Sequence, residues 1–394
     1  MDFDLSDEHK MIQSMARKLI EDELRPVVRE LDAKSEFPVA FFKRLGEVGL
    51  LACGAPREYG GTEDILSVWL VVWELARFCQ SIAMDVMVHC GCIINEALGA
   101  IGTEQQRKAF LPRLVKGEMI GAMAFTEPVA GSDLANIQTT AVKDGDHWVL
   151  NGAKAFSTNP GSPLPSIAVV LAYTDKAKGP RRGMSVFLVE SGTPGYIIGR
   201  REDTCGMRMS HSNELVFEDC RISKESLLGE EGMGLRITLS ILDCDRLLCN
   251  ALSGGAIEGI ADIVVDYALQ RVAFGKTLAN FQAIDLLVAR IHSSAEISRL
   301  LGYWCCCLKE KGESIVEATS IAKNYPSRTA QQAAWDGMSI LGSVGYCREY
   351  DVERFLRDNM GVEIGGGASG ILELQIAREV FRKRGFDIDV YNRA

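Results

Sequence analysis

The sequence predicts an α+β fold in three parts: an N-terminal helical domain over residues 1–120, a small antiparallel β domain over 121–230 and a C-terminal helical bundle over 231–394. Three observations carry this. Apolar residues recur at helical spacing towards both ends, whereas the middle holds short runs rich in β-branched and aromatic residues, cut by Gly and Pro. The chain, at 394 residues, is longer than one core usually serves, and its 47% apolar content is enough to fill several.

Ser6 followed by Asp7 and Glu8 marks a helix start, because a hydroxyl can cap the first free amides and acids favour the positive end of the helix dipole. Met11, Ile12, Met15, Ala16, Leu19 and Ile20 then fall on one face until Pro26. Helical patterning returns over 40–50, 65–79, 82–99 and 104–116, with Gly and Pro between the segments. Strands are expected at 148–150, 167–173, 184–189, 195–198 and 214–217. Beyond Gly234 the helical period predicts long segments over 235–252, 256–273, 283–311 and 315–342, and a last helix from Ile371.

Charge narrows the function. The net charge is -10 and no basic block interrupts the acidic balance, which argues against nucleic acid as a partner. Met1-Asp2-Phe3-Asp4 lacks the basic and apolar run of an export signal, and the apolar window 65–73 is too short to span a bilayer. A cytoplasmic protein with no membrane partner is the expectation. Among the twelve cysteines, Cys90 with Cys92 and the run Cys305-Cys306-Cys307 lack the paired Cys-x-x-Cys spacing of metal sites, so buried free thiols and no metal are expected.

The most informative run is Met123-Ala124-Phe125-Thr126-Glu127-Pro128-Val129-Ala130-Gly131-Ser132-Asp133. A strand should end at Phe125 and Thr126. Pro128 blocks its continuation, and Gly131 lets the backbone come close to whatever Ser132 contacts. Read alone this is a strand turning tightly into a loop. It also resembles the Thr-Glu-Pro-x-Ala-Gly-Ser-Asp signature of the acyl-CoA dehydrogenase family, FAD-dependent flavoproteins that oxidise acyl thioesters, and the resemblance extends over nearly the whole chain. Asn151-Gly152-Ala153-Lys154-Ala155-Phe156-Ser157-Thr158-Asn159 is similar to that family's second flavin strand. The resemblance places Phe125, Thr126, Phe156 and Thr158 on FAD, with Phe156 shielding the ring and Thr158 donating a hydroxyl. Arg271-Val272-Ala273-Phe274-Gly275-Lys276 and the later Phe281-Gln282 look like the motif that reaches a neighbouring subunit's FAD, which would make Arg271, Phe274 and Gln282 cofactor-binding. Gly342, in Gly342-Ser343-Val344-Gly345, would let the backbone approach the same nucleotide. Leu242-Asp243-Cys244-Asp245-Arg246 is similar to the substrate-facing helix, so Asp243 and Arg246, with Ser132, would hold the CoA arm.

One departure bears on the chemistry. The family's usual catalytic Glu precedes a Gly-Thr near the C-terminus, but Glu363-Ile364-Gly365-Gly366-Gly367-Ala368-Ser369-Gly370 places Gly366 there. A thioester α-proton is too weakly acidic for water to remove at neutral pH, so another positioned carboxylate is needed. Asp245 lies where members that handle branched chains carry their Glu. Asp85 is the second candidate, with His89 one turn later on the same face of an otherwise apolar helix that, by resemblance, lines the acyl pocket. Gly366 can still donate its amide to the thioester carbonyl, and the lost side chain leaves room for a ring. Ala368, Gly370 and Ser339 also depart from the family pattern near FAD.

The resemblance therefore implies a homotetrameric or dimeric FAD-dependent acyl-CoA dehydrogenase acting on a bulky, alicyclic or branched acyl-CoA such as cyclohex-1-ene-1-carboxyl-CoA. An Asp would take the proton, flavin N5 the hydride, and an electron-transfer flavoprotein would reoxidise the cofactor. In the alicyclic subset an Asp at the position of Asp85 serves as the base for a 1,4-elimination. The alternatives are a reductase or acyl-carrier-protein-linked dehydrogenase of the same fold, or a non-catalytic, flavin-free homologue.

Overall fold

A computed structural model describes residues 4–386. The N-terminal part is built from helices α1 (Asp7–Leu19), α2 (Val28–Lys34), α3 (Val39–Glu47), α4 (Ile65–Ala76), α5 (Gln80–Val86) and α6 (Glu104–Leu114). Ser6 caps α1, its hydroxyl accepting from the amide of His9 at 3.2 Å. Thr103 and Gln106 form a reciprocal capping box at the start of α6. Helix α5 runs on into the wider π-helical turns Met87–Ile101, almost wholly buried.

The middle part is one sheet of strands β1 (Ile120–Ala124), β2 (Thr140–Asp144), β3 (His147–Thr158), β4 (Ser166–Tyr173), β5 (Met184–Glu190), β6 (Tyr196–Arg201), β7 (Ser212–Ser223) and β8 (Leu227–Leu228), with a single helical turn α7 (Pro180–Gly183) before β5. Its order is β6-β7-β3-β1-β4-β5-β8, with β2 pairing β3 and β4. The sheet is not antiparallel throughout. Strand β1 runs parallel to β4 from the Ile120–Ser166 pair to the Ala124–Val170 pair, and β2 meets β4 in a parallel bridge. Such pairings join strands separated by a long connection, which local alternation does not encode.

The C-terminal part comprises α8 (Gly234–Gln270), a small hairpin of β9 (Val272–Ala273) and β10 (Lys276–Thr277), and helices α9 (Gln282–Glu310), α10 (Val316–Leu341), α11 (Val352–Ile364) and α12 (Ser369–Arg382). Helix α8 is continuous over 37 residues where the sequence predicts two segments. Ser253-Gly254-Gly255 reads as a break but serves close packing: a Cβ on Gly254 would lie 2.3 Å from the Trp73 ring, and one on Gly255 would lie 2.3 Å from the Trp73 carbonyl oxygen. Tertiary contact with α4 thus overrides the weak helix propensity of glycine.

Two helical stretches, Gln80–Ile101 and Gly234–Gln270, are long and apolar enough to cross a membrane, a length the window at 65–73 does not reach. Their most apolar windows are 83% and 78% buried inside the fold, so both are core helices. All twelve cysteines are free. Those at 90, 92, 305 and 306 are buried as expected, whereas Cys307 is exposed because α9 turns that side outward.

Candidate active site

Helix α8 presents Asp245 to the turn that follows α11. Gly366 sits in that turn with φ +62°, and a Cβ built on it would lie 2.4 Å from Asp245 Oδ2. The carboxylate of Asp245 therefore occupies the space into which a side chain at 366 would project, and the hollow expected there is partly filled. The turn is held from two sides. Arg246 donates from Nε to the Gly366 carbonyl at 3.1 Å, and Lys323 of α10 donates from Nζ to the carbonyls of Glu363 and Gly367 at 2.9 and 2.8 Å. The Gly366 amide has no hydrogen-bond partner among the described residues, so it remains available to an incoming carbonyl.

Asp245 is buried. Desolvation pushes its carboxyl up to about 6, against the pull of Arg246 and Lys323. Burial also lowers the Lys323 ammonium from its ordinary range. Asp243 and Arg246, expected on the CoA arm, pair with each other at 2.8 Å one turn apart on α8. Burial raises Asp243 to about 6 despite that partner. Ser132 lies exposed on the loop after β1.

Asp85 sits at the end of α5, fully buried. Its Oδ1 accepts from the Ser210 hydroxyl and its Oδ2 has no partner, and desolvation lifts the carboxyl to about 8. His89 is not its companion. Its Nε2 meets the Leu114 carbonyl at 3.1 Å and its Nδ1 accepts from the Gly121 amide at 3.0 Å, so the neutral ring clamps α6 and β1 together. Burial lowers it to about 3, and Phe42 packs edge-on against it. With both nitrogens taken, His89 has no group left for a substrate. The π-helical turns explain the lost partnership, since a wider turn carries residue i+4 off the face of residue i.

Phe125 and Thr126 follow β1 directly, and the Ala155 amide donates to the Thr126 carbonyl at 2.9 Å, tying them to β3. A register shift between Lys154 and Ser157 puts Phe156 at φ +52° and turns it outward, 63% exposed, with Thr158 two residues on. Arg271 opens the β9–β10 hairpin, whose tip is Phe274 at φ +50°, 96% exposed and edge-on to Phe281 at 6.3 Å. Gln282 starts α9, and Gly342 ends α10 at φ +66°. These groups fit a flavin dinucleotide. The hydroxyls of Thr126 and Thr158, the guanidinium of Arg271 and the carboxamide of Gln282 make no side-chain hydrogen bond or ion pair among the described residues, and the Phe156 and Phe274 rings are exposed.

Sequence reasoning missed four supporting residues. Glu127 and Lys154 form a buried ion pair at 2.7 Å, and Glu127 also accepts from the Thr139 amide at 3.0 Å while Lys154 donates to the Phe125 carbonyl. Desolvation lowers Lys154 to about 8. Glu127 and Lys154 both lie inside the runs 123–133 and 151–159, and a charge of each sign flanking an expected buried strand end is the available signal. Cys92 and Cys249, which touch Asp245, carried none.

Comparison with known proteins agrees with this geometry. Residues 6–118 match the acyl-CoA dehydrogenase N-terminal domain, 122–220 the middle domain and 232–381 the C-terminal domain. The chain is 37% identical over 386 residues, 97% of each sequence, to the acryloyl-CoA reductase (NADH) of Anaerotignum propionicum. It superposes with a TM-score of 0.93 on butyryl-CoA dehydrogenase from Megasphaera elsdenii, 35% identical, covering 97% of this chain and 100% of the other. The same score, with 34% identity and the same coverage, relates it to a chain from a structure of the electron transferring flavoprotein of Acidaminococcus fermentans, solved towards a mechanism of flavin-based electron bifurcation. With three domain matches in order and relatives aligned from end to end, the chain belongs to the acyl-CoA dehydrogenase family, oxidoreductases of acyl-CoA thioesters.

Proposed function

We propose that this enzyme is an FAD-dependent dehydrogenase of a bulky, branched or alicyclic acyl-CoA, and that Asp245 is its base. The observation that carries the reading is the 2.4 Å approach between Asp245 Oδ2 and the Cβ position of Gly366, since a carboxylate beside the position of the family's missing Glu supports Asp245 as its replacement. Aspartate is one methylene shorter than glutamate, so its carboxylate stays close to α8. The run Gly365-Gly366-Gly367 adds no side chain opposite it, and an acyl group with a branch or ring gains the part of that space the carboxylate leaves free.

Asp245 takes the proton from Cα while the Gly366 amide donates to the thioester oxygen and stabilises the developing enolate. Bound FAD supplies a hydride acceptor at N5 for the β-hydrogen. The burial of Asp245 keeps water from the forming carbanion and raises the base towards neutral pH. Phe156 and Thr158 would cover and hydrogen-bond the ring, while Arg271, Phe274 and Gln282 would reach a second subunit's dinucleotide in a homotetramer. An electron-transfer flavoprotein is the proposed oxidant.

A second reading is favoured by the unpartnered, buried Oδ2 of Asp85: that acid would exchange a proton at a ring carbon away from Cα, giving 1,4-elimination of a cyclohex-1-ene-1-carboxyl-CoA-like substrate. The likeness to acryloyl-CoA reductase supports testing the reverse reaction on the same residues. The experiment is flavin bleaching by a panel of linear, branched and alicyclic acyl-CoA thioesters. Under the first reading Asp245→Asn abolishes bleaching on every substrate and Asp85→Asn spares the saturated branched ones. Bleaching that survives Asp245→Asn ends it, and faster reduction by linear than by branched or cyclic chains ends the substrate assignment.

A further inference from the structure

The carboxylate of Asp245 is held in an unusual way. Cys92, from the π-helical turns, brings Sγ to 3.9 Å from Oδ1, and Cys249, one turn along α8, brings Sγ to 3.8 Å from Oδ2. No N–H or O–H donor bonds that carboxylate among the described residues, and all three side chains are buried. Nearby thiols do something else: Cys244 donates to the Gly91 carbonyl at 3.5 Å and Cys90 to the Leu51 carbonyl at 3.5 Å. The reach of Cys92 depends on close packing, since a Cβ on Gly91 would lie 2.0 Å from Leu248 Cδ1 of α8.

We propose that Cys92 and Cys249 are positioning residues for the base, two weak donors that orient both oxygens of Asp245 towards the substrate while leaving the carboxylate basic. This rests on Asp245 being the base. An S–H donor is weak, so it holds the charged form in place while stabilising it little. A hydroxyl or amide in the same position would stabilise the ionised carboxylate more and make it a poorer base. An alkyl group there would leave the short side chain free to turn. The other charged groups facing Asp245 are Arg246 on its own helix and Lys323 from α10, and both favour the ionised form. Glu96 and Cys244 lie near Cys92. The burial that raises Asp245 to about 6 is thus countered by the charges of two cations rather than by direct strong donors.

The test compares Cys92→Ser, Cys249→Ser, Cys92→Ala and Cys249→Ala in the holoenzyme. Two readouts are taken: the pH profile of flavin bleaching, and an infrared pH titration of the Asp245 carboxyl, identified by difference against Asp245→Asn. Serine should move the acidic limb and the infrared titration down by about one unit, a tenfold change in ionised fraction at fixed acidic pH, and lower the plateau rate. Alanine should move both up. Opposite shifts support the proposal, because a packing role alone moves neither readout by sign. If neither residue shifts the titration, or serine and alanine shift it the same way, while Asp245→Asn still abolishes bleaching, the thiols only pack and the proposal is overturned. Bleaching that persists in Asp245→Asn sinks the base assignment instead. If the alanine variants do not fold, the downward shift in serine decides alone.

Discussion

Asp245 and Asp85 are both carboxylates sunk in helical walls, yet they are held by different chemistry. Asp245 has two thiols on its oxygens, a cation on either side and a glycine turn in front. Asp85 has one serine hydroxyl, an orphaned oxygen and the pull of Arg201 alone. Burial raises both, but the neighbouring cations hold the first near 6 while the second rises to about 8. The neighbouring cations favour the ionised, proton-accepting form of Asp245, whereas burial beside a single hydroxyl favours the protonated, hydrogen-bond-donating form of Asp85. Two acids on neighbouring helices are thus biased towards opposite protonation states because one has cations beside it.

The harshest way to break this contrast is Gly366→Glu. The new Cβ would meet Asp245 at 2.4 Å in a left-handed conformation that side chains resist, and a second carboxylate would enter the space of the first. Flavin bleaching on branched acyl-CoA should fall by about 10³-fold or more, the scale of losing a general base. The double variant Asp245→Gly with Gly366→Glu should recover bleaching on linear thioesters but not on branched ones, a split measured by stopped-flow reduction. Recovery on both would show that the Gly366 side of the pocket does not select the acyl group.

Lys323→Met sharpens the Asp245 side of the comparison. It removes the donor to the Glu363 and Gly367 carbonyls and one of the two cations beside Asp245. Leaving two carbonyls unpaired at about 1–3 kcal/mol each should lower unfolding stability by a few kcal/mol in denaturant titration, and the acidic limb of the bleaching profile should move up. A stability loss with an unmoved limb would mean that Lys323 supports the turn without acting on the base.

Local chemistry made part of this site legible. The strand end expected at Phe125 and Thr126 falls just beyond the end of β1 at Ala124, and the absence of a carboxylate at Gly366 can be read from one motif. What stayed hidden depends on packing between distant segments. Resemblance alone puts Asp245 opposite Gly366, since nothing local to either residue shows their approach, and Cys92 and Cys249 read as inert thiols until α8 and the π-helical turns come together. The pair of Asp85 and His89 was misplaced because helical spacing assumes a regular turn, and the parallel β1–β4 pairing is invisible to an alternation pattern.

The mildest test of the comparison is the pH dependence of stability. For Asp85 the folded value, about 8, lies above the unfolded one near 3.8, so the folded state binds the proton more tightly. Its stabilisation is complete below the unfolded value and is lost as pH rises through about 8. His89 runs the other way. Its folded value of about 3 lies below 6.5, so its contribution is present above 6.5 and lost as pH falls towards 3. The two slopes oppose each other between these ranges, and from 6.5 to 8 the Asp85 slope stands alone. Asp85→Asn keeps an acceptor for Ser210 but cannot ionise, so its melting temperature should gain on the parent by a few degrees between pH 6.5 and 8 and hold that lead above 8. Thermal scans in matched buffers check this, and a constant gap across that window would mean that Asp85 is already ionised in the folded enzyme and could itself serve as a base.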